Sequence, residues 1–378
     1  MATVTKYSTQ AGTRYEVRHR TPSNGSTRKR GFTTKRDAQA YAAQVEVAKQ
    51  TGAFVQASSG RATVGSLGPA WVERQKAHVK PSGWRSYESA WRVHCEPRWG
   101  SVPLNRVKYT EVQAWVAELS VTKGPVVVQT AHSVLARILD DAVRDRLLAV
   151  NPARGVKLPR KVRKPNVYLT HDQVEALATE AGHYRSLVLL LSYTGLRWGE
   201  AAGLRVADVN FLKRRILVHE NAVTVGSVVH VGTLKGHKHR EVPLPVFVAD
   251  ELARTCVGKS RDELLWASRS GGHLGPPASK ESWLSGAVER CRKADPTFPR
   301  ITAHLLRHCA ASFAVSAGAN VKVVQRLLGH SSAGMTLDVY ADLFDSDLDS
   351  VADALDASVS KTRPKQEPQA TPSTGSVG

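Results

Sequence analysis

Four short motifs in the second half of this chain carry residue types that can work on a phosphate ester. Thr194-Gly-Leu-Arg-Trp-Gly-Glu200 sets Arg197 at an expected helix start, just after a glycine turn. Leu234-Lys-Gly-His-Lys-His-Arg-Glu-Val-Pro243 puts Lys235 on or beside a turn between short strands. His304-Leu-Leu-Arg307-His308 brings His304 and Arg307 to one helix face, a turn apart. Leu327-Leu-Gly-His330-Ser-Ser is followed ten residues later by Tyr340, in Thr336-Leu-Asp-Val-Tyr-Ala-Asp342. A phosphodiester carries one negative charge, and attack by a nucleophile adds charge at a five-coordinate phosphorus. Forked, permanently charged guanidinium groups match that array, so Arg197 and Arg307 suit its non-bridging oxygens. A tyrosine with a pKa of about 10 is ionised in roughly one molecule in a thousand at neutral pH, so Tyr340 as nucleophile needs help in losing its proton. His304 is the expected base or phosphate-directed donor, with His330 a second hydrogen-bond donor.

Taken singly, each residue has a plainer explanation. Arg197 could be a surface arginine at a helix start, and Tyr340 a half-buried packing residue. Lys235 shares its turn with Lys238 and Arg240, which together could be a solvated cluster in which Lys238 rivals Lys235. His304 and His308 have the i, i+4 spacing of a zinc pair, but residue 305 is Leu where a metalloprotease helix needs Glu, so no metal and no other cofactor is expected. The ordered set is what carries weight.

The charge balance ranks the partner. Fifty-three Lys and Arg stand against 33 Asp and Glu, a net of +20, and a field of that sign favours nucleic acid over neutral or acidic partners. Cys95, Cys256, Cys291 and Cys309 form no CxxC pair, which argues against a disulfide frame or zinc cluster and suits a reducing compartment. The sequence has no apolar run long enough to span a membrane and no signal-like start, so a cytoplasmic protein without a membrane partner is expected.

These residues need elements to position them. Tyr15–Arg20 and Arg28–Phe32 alternate as strands do, and Thr34 opens a helix whose Ala38, Tyr41, Ala42, Val45 and Ala48 share a face. Residues 1–60 hold ten basic and three acidic residues, so a small basic sheet backed by a helix is expected there, with Arg18, Arg20, Arg28 and Arg30 the candidates for contact with DNA. A small, polar linker spans 53–65. Helical patterns follow at Ser66–Val79, Ser82–Glu96, Tyr109–Leu119 and Pro125–Leu148. Residues 154–164 are basic without an acid, and Arg160, Lys161, Arg163 and Lys164 are expected to track a phosphate backbone. A second unit starts near Tyr168 with a Thr170–Gln173 capping box, continues through strands at Arg215–His219, Val228–Val231 and Arg240–Leu244, and is helical from Pro245 to about Ala357. The Pro-, Ser-, Thr- and Gln-rich residues 358–378 read as a disordered tail.

The four motifs, in this order and at this spacing from about residue 63 to 345, resemble the tyrosine-recombinase (phage integrase) family, and residues 1–60 resemble the arm-binding domain of its temperate-phage and integrative-element subgroup. The resemblance implies a mainly helical α+β protein in three folded parts. These are an arm-type DNA-binding domain (1–55) with a three-stranded sheet and helix, a helical core-binding domain (63–153), and, after a basic linker (154–167), a mixed α/β catalytic domain (168–357). Tyr340 would form a 3′-phosphotyrosyl link, Lys235, eight residues before Pro243 as the family pattern has it, would be the general acid for the leaving 5′ oxygen, and Glu200 would orient Arg197. The partners implied are double-stranded DNA attachment sites of core and arm type, a homotetramer on that DNA, a host DNA-bending factor and an excisionase. An apolar stripe at Leu348, Val351, Ala352 and Leu355, within the acidic segment Asp345–Ala357, would dock on a neighbouring protomer, as relatives exchange a C-terminal helix. A chromosome-dimer resolvase, a type IB topoisomerase with the same chemistry, and a DNA-binding regulator that has lost catalysis are the alternatives. The basic N-terminal segment argues against the first two, and the intact Tyr340, Arg197 and Arg307 against the third.

Overall fold

A computed structural model describes residues 2–20, 25–50, 54, 61–162, 166–226, 228–233, 239–343 and 355–356. The chain divides into two compact units, Met1–Arg163 and Lys164–Gly378.

The first unit opens with an antiparallel sheet, β1 (Thr3–Thr9), β2 (Gly12–Arg20) and β3 (Ser26–Phe32), with β2 central. Alternation sorts its side chains onto two faces. Val17 and His19 are buried with Ala38 and Val45 of helix α1 (Lys35–Gln50), which packs on β2. Arg18, Arg20, Arg28 and Arg30 are all exposed, and Arg18 stands directly opposite Arg28. Thr34 caps α1 by accepting from the Asp37 N–H at 3.1 Å. Strand β1 is the third strand of the expected sheet; the residues themselves mark only the other two, because its Thr-rich sequence has no apolar face of its own.

The rest of this unit is helical: α2 (Val64–Arg74), α3 (Pro81–Ala90), a π-helical turn Trp91–Cys95, α4 (Glu96–Trp99), α5 (Tyr109–Thr122) and α6 (Pro125–Arg144). Tryptophans 71, 91, 99 and 115 share its core with Leu135 and Leu139, and Trp99 meets Trp115 edge-on at 5.8 Å. The segment after α6 is strapped to this layer. Gln113 bonds both the N–H and the carbonyl of Lys157 (2.9 and 3.1 Å), and Gln129 donates to the Pro159 carbonyl at 2.8 Å. Arg160 and Lys161 are exposed, and Arg163 and Lys164 lie outside the described residues.

In the second unit the apolar run 187–191 lies inside α8 (Arg185–Thr194), which packs against α7 (His171–Glu180), α10 (Val246–Cys256) and α12 (Ala303–Ser316). The expected capping box opens α7, with Thr170 accepting from the Gln173 N–H and the Gln173 side chain accepting from the Thr170 N–H. After the short α9 (Trp198–Ala202) come β4 (Val209–Asn210), β5 (Arg215–Val218), the hairpin β6 (Glu220–Val225) and β7 (Val228–Thr233), and β8 (Arg240–Pro243). Strands β4, β5 and β8 form one antiparallel sheet in that order, burying Ile216, Val218 and Val242. Helices then follow as α10 (Val246–Cys256), α11 (Trp283–Ala294), α12 (Ala303–Ser316), α13 (Val321–Leu328) and α14 (Ala333–Tyr340). The expected unbroken helical region from Pro245 is interrupted. Residues 257–282 carry Gly258, Gly271, Gly272, Gly275, Pro276 and Pro277, whose backbone preferences end helices, and they form turns and bridges instead. Of the expected C-terminal helix, only Leu355 and Asp356 are described.

Candidate active site

Two helix ends build the floor of the site. Helix α8 stops at Gly195 (φ +65°) and α13 at Gly329 (φ +63°), both in the left-handed region that glycine enters without strain. A β-carbon would also collide there: at Gly195 with Leu328 at 2.5 Å, and at Gly329 with Arg240 at 2.9 Å. The last carbonyls of a helix lack intrahelical partners and carry partial negative charge, so they attract cations. Arg307, from α12, is the cation both ends attract. Its guanidinium donates to the Gly195 carbonyl and, at 2.6 Å, to the Leu328 carbonyl. It is 2% exposed. Burial first, and then the neighbouring Arg197, lower its pKa to about 10, still charged at neutral pH.

Arg197 sits at the N-terminus of α9, half-buried, and is fixed from the other side. Its backbone N–H and its guanidinium both donate to Glu200 (2.9 Å each), and its second terminal nitrogen donates to the Gly329 carbonyl at 3.3 Å. Glu200 is 2% exposed and also takes two bonds from Arg240, at 3.0 and 2.7 Å. Burial opposes its ionisation, but the Arg240 bonds and the charge of Arg197 outweigh that and hold its pKa below the usual carboxylate range. Arg240 is thus no solvated turn residue: a buried carboxylate bridges it to Arg197.

His330 follows Gly329 and turns its Nδ1 to the Thr336 hydroxyl at 2.9 Å, with its ring stacked on Tyr340 at 6.3 Å. His304 is exposed on the first turn of α12 and meets His308 edge-on at 5.0 Å. Tyr340, the last residue of α14, is 1% exposed. Its hydroxyl lies 2.7 Å from His308 Nδ1. Burial pushes the phenol up to about 12, with Arg307 pulling the other way. Burial, the next-door His304 and Arg307 take His308 down to about 4, and burial with Arg307 and Arg197 does the same to His330. The site therefore holds three arginines with one carboxylate, Glu200, beside neutral His308 and His330 and a protonated phenol.

Arg197, Glu200, His304, Arg307, His330 and Tyr340 thus come together, whereas Lys235, in the β7–β8 connection, lies outside the described residues. The motifs gave no role to two residues of this cluster, His308 and Arg240. His308 had a signal, since i, i+4 spacing puts it on the His304 face, but spacing alone suggested only a metal pair. Among the described residues, no group of three or more His, Cys, Asp or Glu comes together as metal ligands would.

Residues 167–347, which contain every one of these side chains, match the phage integrase family. Across that segment the chain is similar to this family. Over 250 residues it is 30% identical to the integrase of Mycobacterium phage L5, covering 64% of this chain and 65% of that protein. The integrase of Mycobacterium phage D29 is 28% identical over 260 residues, 66% of this chain and 67% of its own. The chain thus spans about two thirds of the length of these relatives. In fold it is similar to the Tn1549 transposon integrase in complex with transposon right end DNA (TM-score 0.66, 21% identity, 77% of this chain and 100% of that one). A lambda integrase dimer bound to a core site superposes with a TM-score of 0.58 at 18% identity, over 88% of this chain and 93% of that one. Both are mainly helical proteins with small sheets, as this one is. No helix among the described residues is long and apolar enough to cross a membrane.

Proposed function

We propose that this protein is a site-specific DNA recombinase that cuts and rejoins DNA through a 3′-phosphotyrosyl intermediate, and that it integrates, and also excises, a phage or mobile-element genome. One observation carries the reading: Tyr340 closes a site in which Arg307 and Arg197 are held against the ends of α8 and α13. In use, the two guanidinium groups hold the non-bridging oxygens of the scissile phosphate. Tyr340 attacks phosphorus, His330 and His304 donate to the phosphate, and Lys235 protonates the leaving 5′ oxygen. The phosphotyrosyl ester keeps the energy of the broken bond, so rejoining needs neither a nucleotide nor a metal.

Similarity to mycobacteriophage integrases, together with the arginine-bearing face of the β1–β3 sheet, favours integration over chromosome-dimer resolution, topoisomerase action or mere DNA binding. The sheet would read arm-type sites and the helical layer core sites. Lambda integrase forms a tetramer on a Holliday junction, and we extend that assembly to this chain, with a host bending factor and an excisionase as its accessory partners in the cytoplasm of a bacterial host. The segment after Asp345 would dock on a neighbouring protomer. Truncation there should leave core-site binding intact and impair synapsis, and normal tetramer assembly by the truncated protein would exclude that role.

The deciding experiment uses a nicked attachment-site duplex, in EDTA, recovered from the genomic junctions beside the gene. The wild-type protein should trap a covalent adduct that maps to Tyr340, and Tyr340→Phe should trap none. An adduct that persists in the variant would sink the assignment.

A further inference from the structure

We propose that His308 is the group that takes the proton from Tyr340 as the tyrosine attacks DNA. This rests on the reading of Tyr340 as the nucleophile and deepens it, because neither the motifs nor the family match assigns His308 a role. At 1% exposure among the described residues, Tyr340 is screened from bulk water, and a protein group beside it is placed to receive its proton. Of the three histidines in the site, His308 is the one whose nitrogen touches the hydroxyl, at 2.7 Å. His330 Nδ1 faces Thr336, and the His304 ring packs edge-on against His308 rather than reaching the phenol. A ring protonated only at Nε2 accepts the Tyr340 O–H at Nδ1.

The step balances. The phenolic O–H bond breaks, its proton moves to Nδ1, and the oxygen forms the bond to phosphorus while the P–O5′ bond breaks. The 5′ oxygen takes its proton from the general acid, Lys235 in this reading. On rejoining, the 5′ hydroxyl attacks phosphorus and gives its proton back to Lys235, while the proton on His308 returns to the departing tyrosine oxygen.

The surroundings make the transfer conditional on substrate. Without DNA it runs uphill, since burial raises the phenol while burial, His304 and Arg307 depress the imidazole. The groups facing the pair are His304, Arg307 and Cys309 on α12, Tyr168, His330, and Arg197 beyond Arg307. A phosphodiester docked on the two arginines would offset the positive charge that depresses His308. The nucleophile would then be activated only when a phosphate is in place.

His308→Asn tests this, because the amide occupies the place of Nδ1 and keeps a hydrogen bond without the basicity. On the nicked attachment-site duplex, single-turnover cleavage should fall by about 10²- to 10⁴-fold, with DNA affinity and melting temperature unchanged. The lost rate should return about tenfold per pH unit between pH 6 and 9, as hydroxide replaces the base, while the wild type stays flat. Replacing Tyr340 by the more acidic 3,5-difluorotyrosine should speed His308→Asn far more than wild type. Should His308→Asn melt early, His308→Ala with added imidazole serves instead, and recovery of cleavage is expected. Cleavage within threefold of wild type, a deficit equal at every pH, or no response to either the fluorinated tyrosine or imidazole would overturn the proposal. An adduct that maps away from Tyr340 overturns the nucleophile reading itself, whereas full activity in His308→Asn with the adduct at Tyr340 overturns only the role of His308.

Discussion

The arginines of the N-terminal sheet and those of the catalytic unit are the same residue type in opposite settings. On the sheet, Arg18 and Arg30 are more than half exposed and share the carboxylate of Glu16, while Arg20 and Arg28 stand out into solvent. In the catalytic unit, Arg307 is buried on two helix-end carbonyls, and Arg197 is wired to Glu200 and to Gly329. Exposed cations attract a polyanion from any direction and give up little when they move. Fixed cations are aimed at one point, and a transition state, unlike a ground-state backbone, rewards aim. In the function proposed above, the difference separates holding DNA from acting on it.

The strongest way to break this comparison is to remove the aimed charges. Arg197→Ala should lower cleavage by at least 10³-fold while DNA binding, measured by gel shift, changes little, since many other basic residues hold the backbone. Normal cleavage would mean that Arg197 is no clamp. Arg307→Ala should lose cleavage as well, but with a second penalty. Two buried carbonyls, of Gly195 and Leu328, lose their donor, at about 1–3 kcal/mol each. A melting temperature unchanged from wild type would show that Arg307 does not tie the two helix ends together.

Glu200→Gln probes the wiring rather than the charge. It leaves Arg197 and Arg240 facing a neutral amide, and breaking a buried ion pair in this way costs roughly 3–5 kcal/mol. The pH dependence follows from the direction of the shift. The Glu200 carboxyl is depressed in the folded state, so its contribution is complete above the unfolded carboxyl value of about 4.3 and is lost as pH falls through the lower folded value. The melting temperature of Glu200→Gln should therefore fall less than that of wild type below pH 4.5. Parallel curves would remove Glu200 from the ion-pair network.

The smallest effect is expected on the sheet. Arg18→Ala together with Arg28→Ala should shift stability by no more than about 0.5 kcal/mol. Arm-site binding should weaken, with the log–log salt slope reduced by roughly 0.9 for each phosphate contact removed. An unchanged slope would place the DNA-facing surface elsewhere.

Much of this was legible in the residues. The pair His304 and Arg307, the capping box at Thr170, and the strands Tyr15–Arg20 and Arg28–Phe32 rest on local spacing, which a helix or strand turns directly into neighbours, whereas the set Arg197, His304, Arg307, His330 and Tyr340 was legible through the resemblance of its order. Strand β1 and the break at 257–282 escaped because a polar edge strand and a glycine-rich loop have no periodicity. The contacts that rank the site's residues escaped for another reason. His308 meets Tyr340 across 32 residues, Arg307 meets Gly195 across 112, and Arg240 meets Glu200 across 40. Sequence fixes which groups are present and, within one helix, which are neighbours. Which histidine touches the tyrosine, and which arginine is buried on two helix ends, depends on how α8, α12, α13 and α14 pack, and packing is set by the summed fit of many apolar side chains rather than by any one motif.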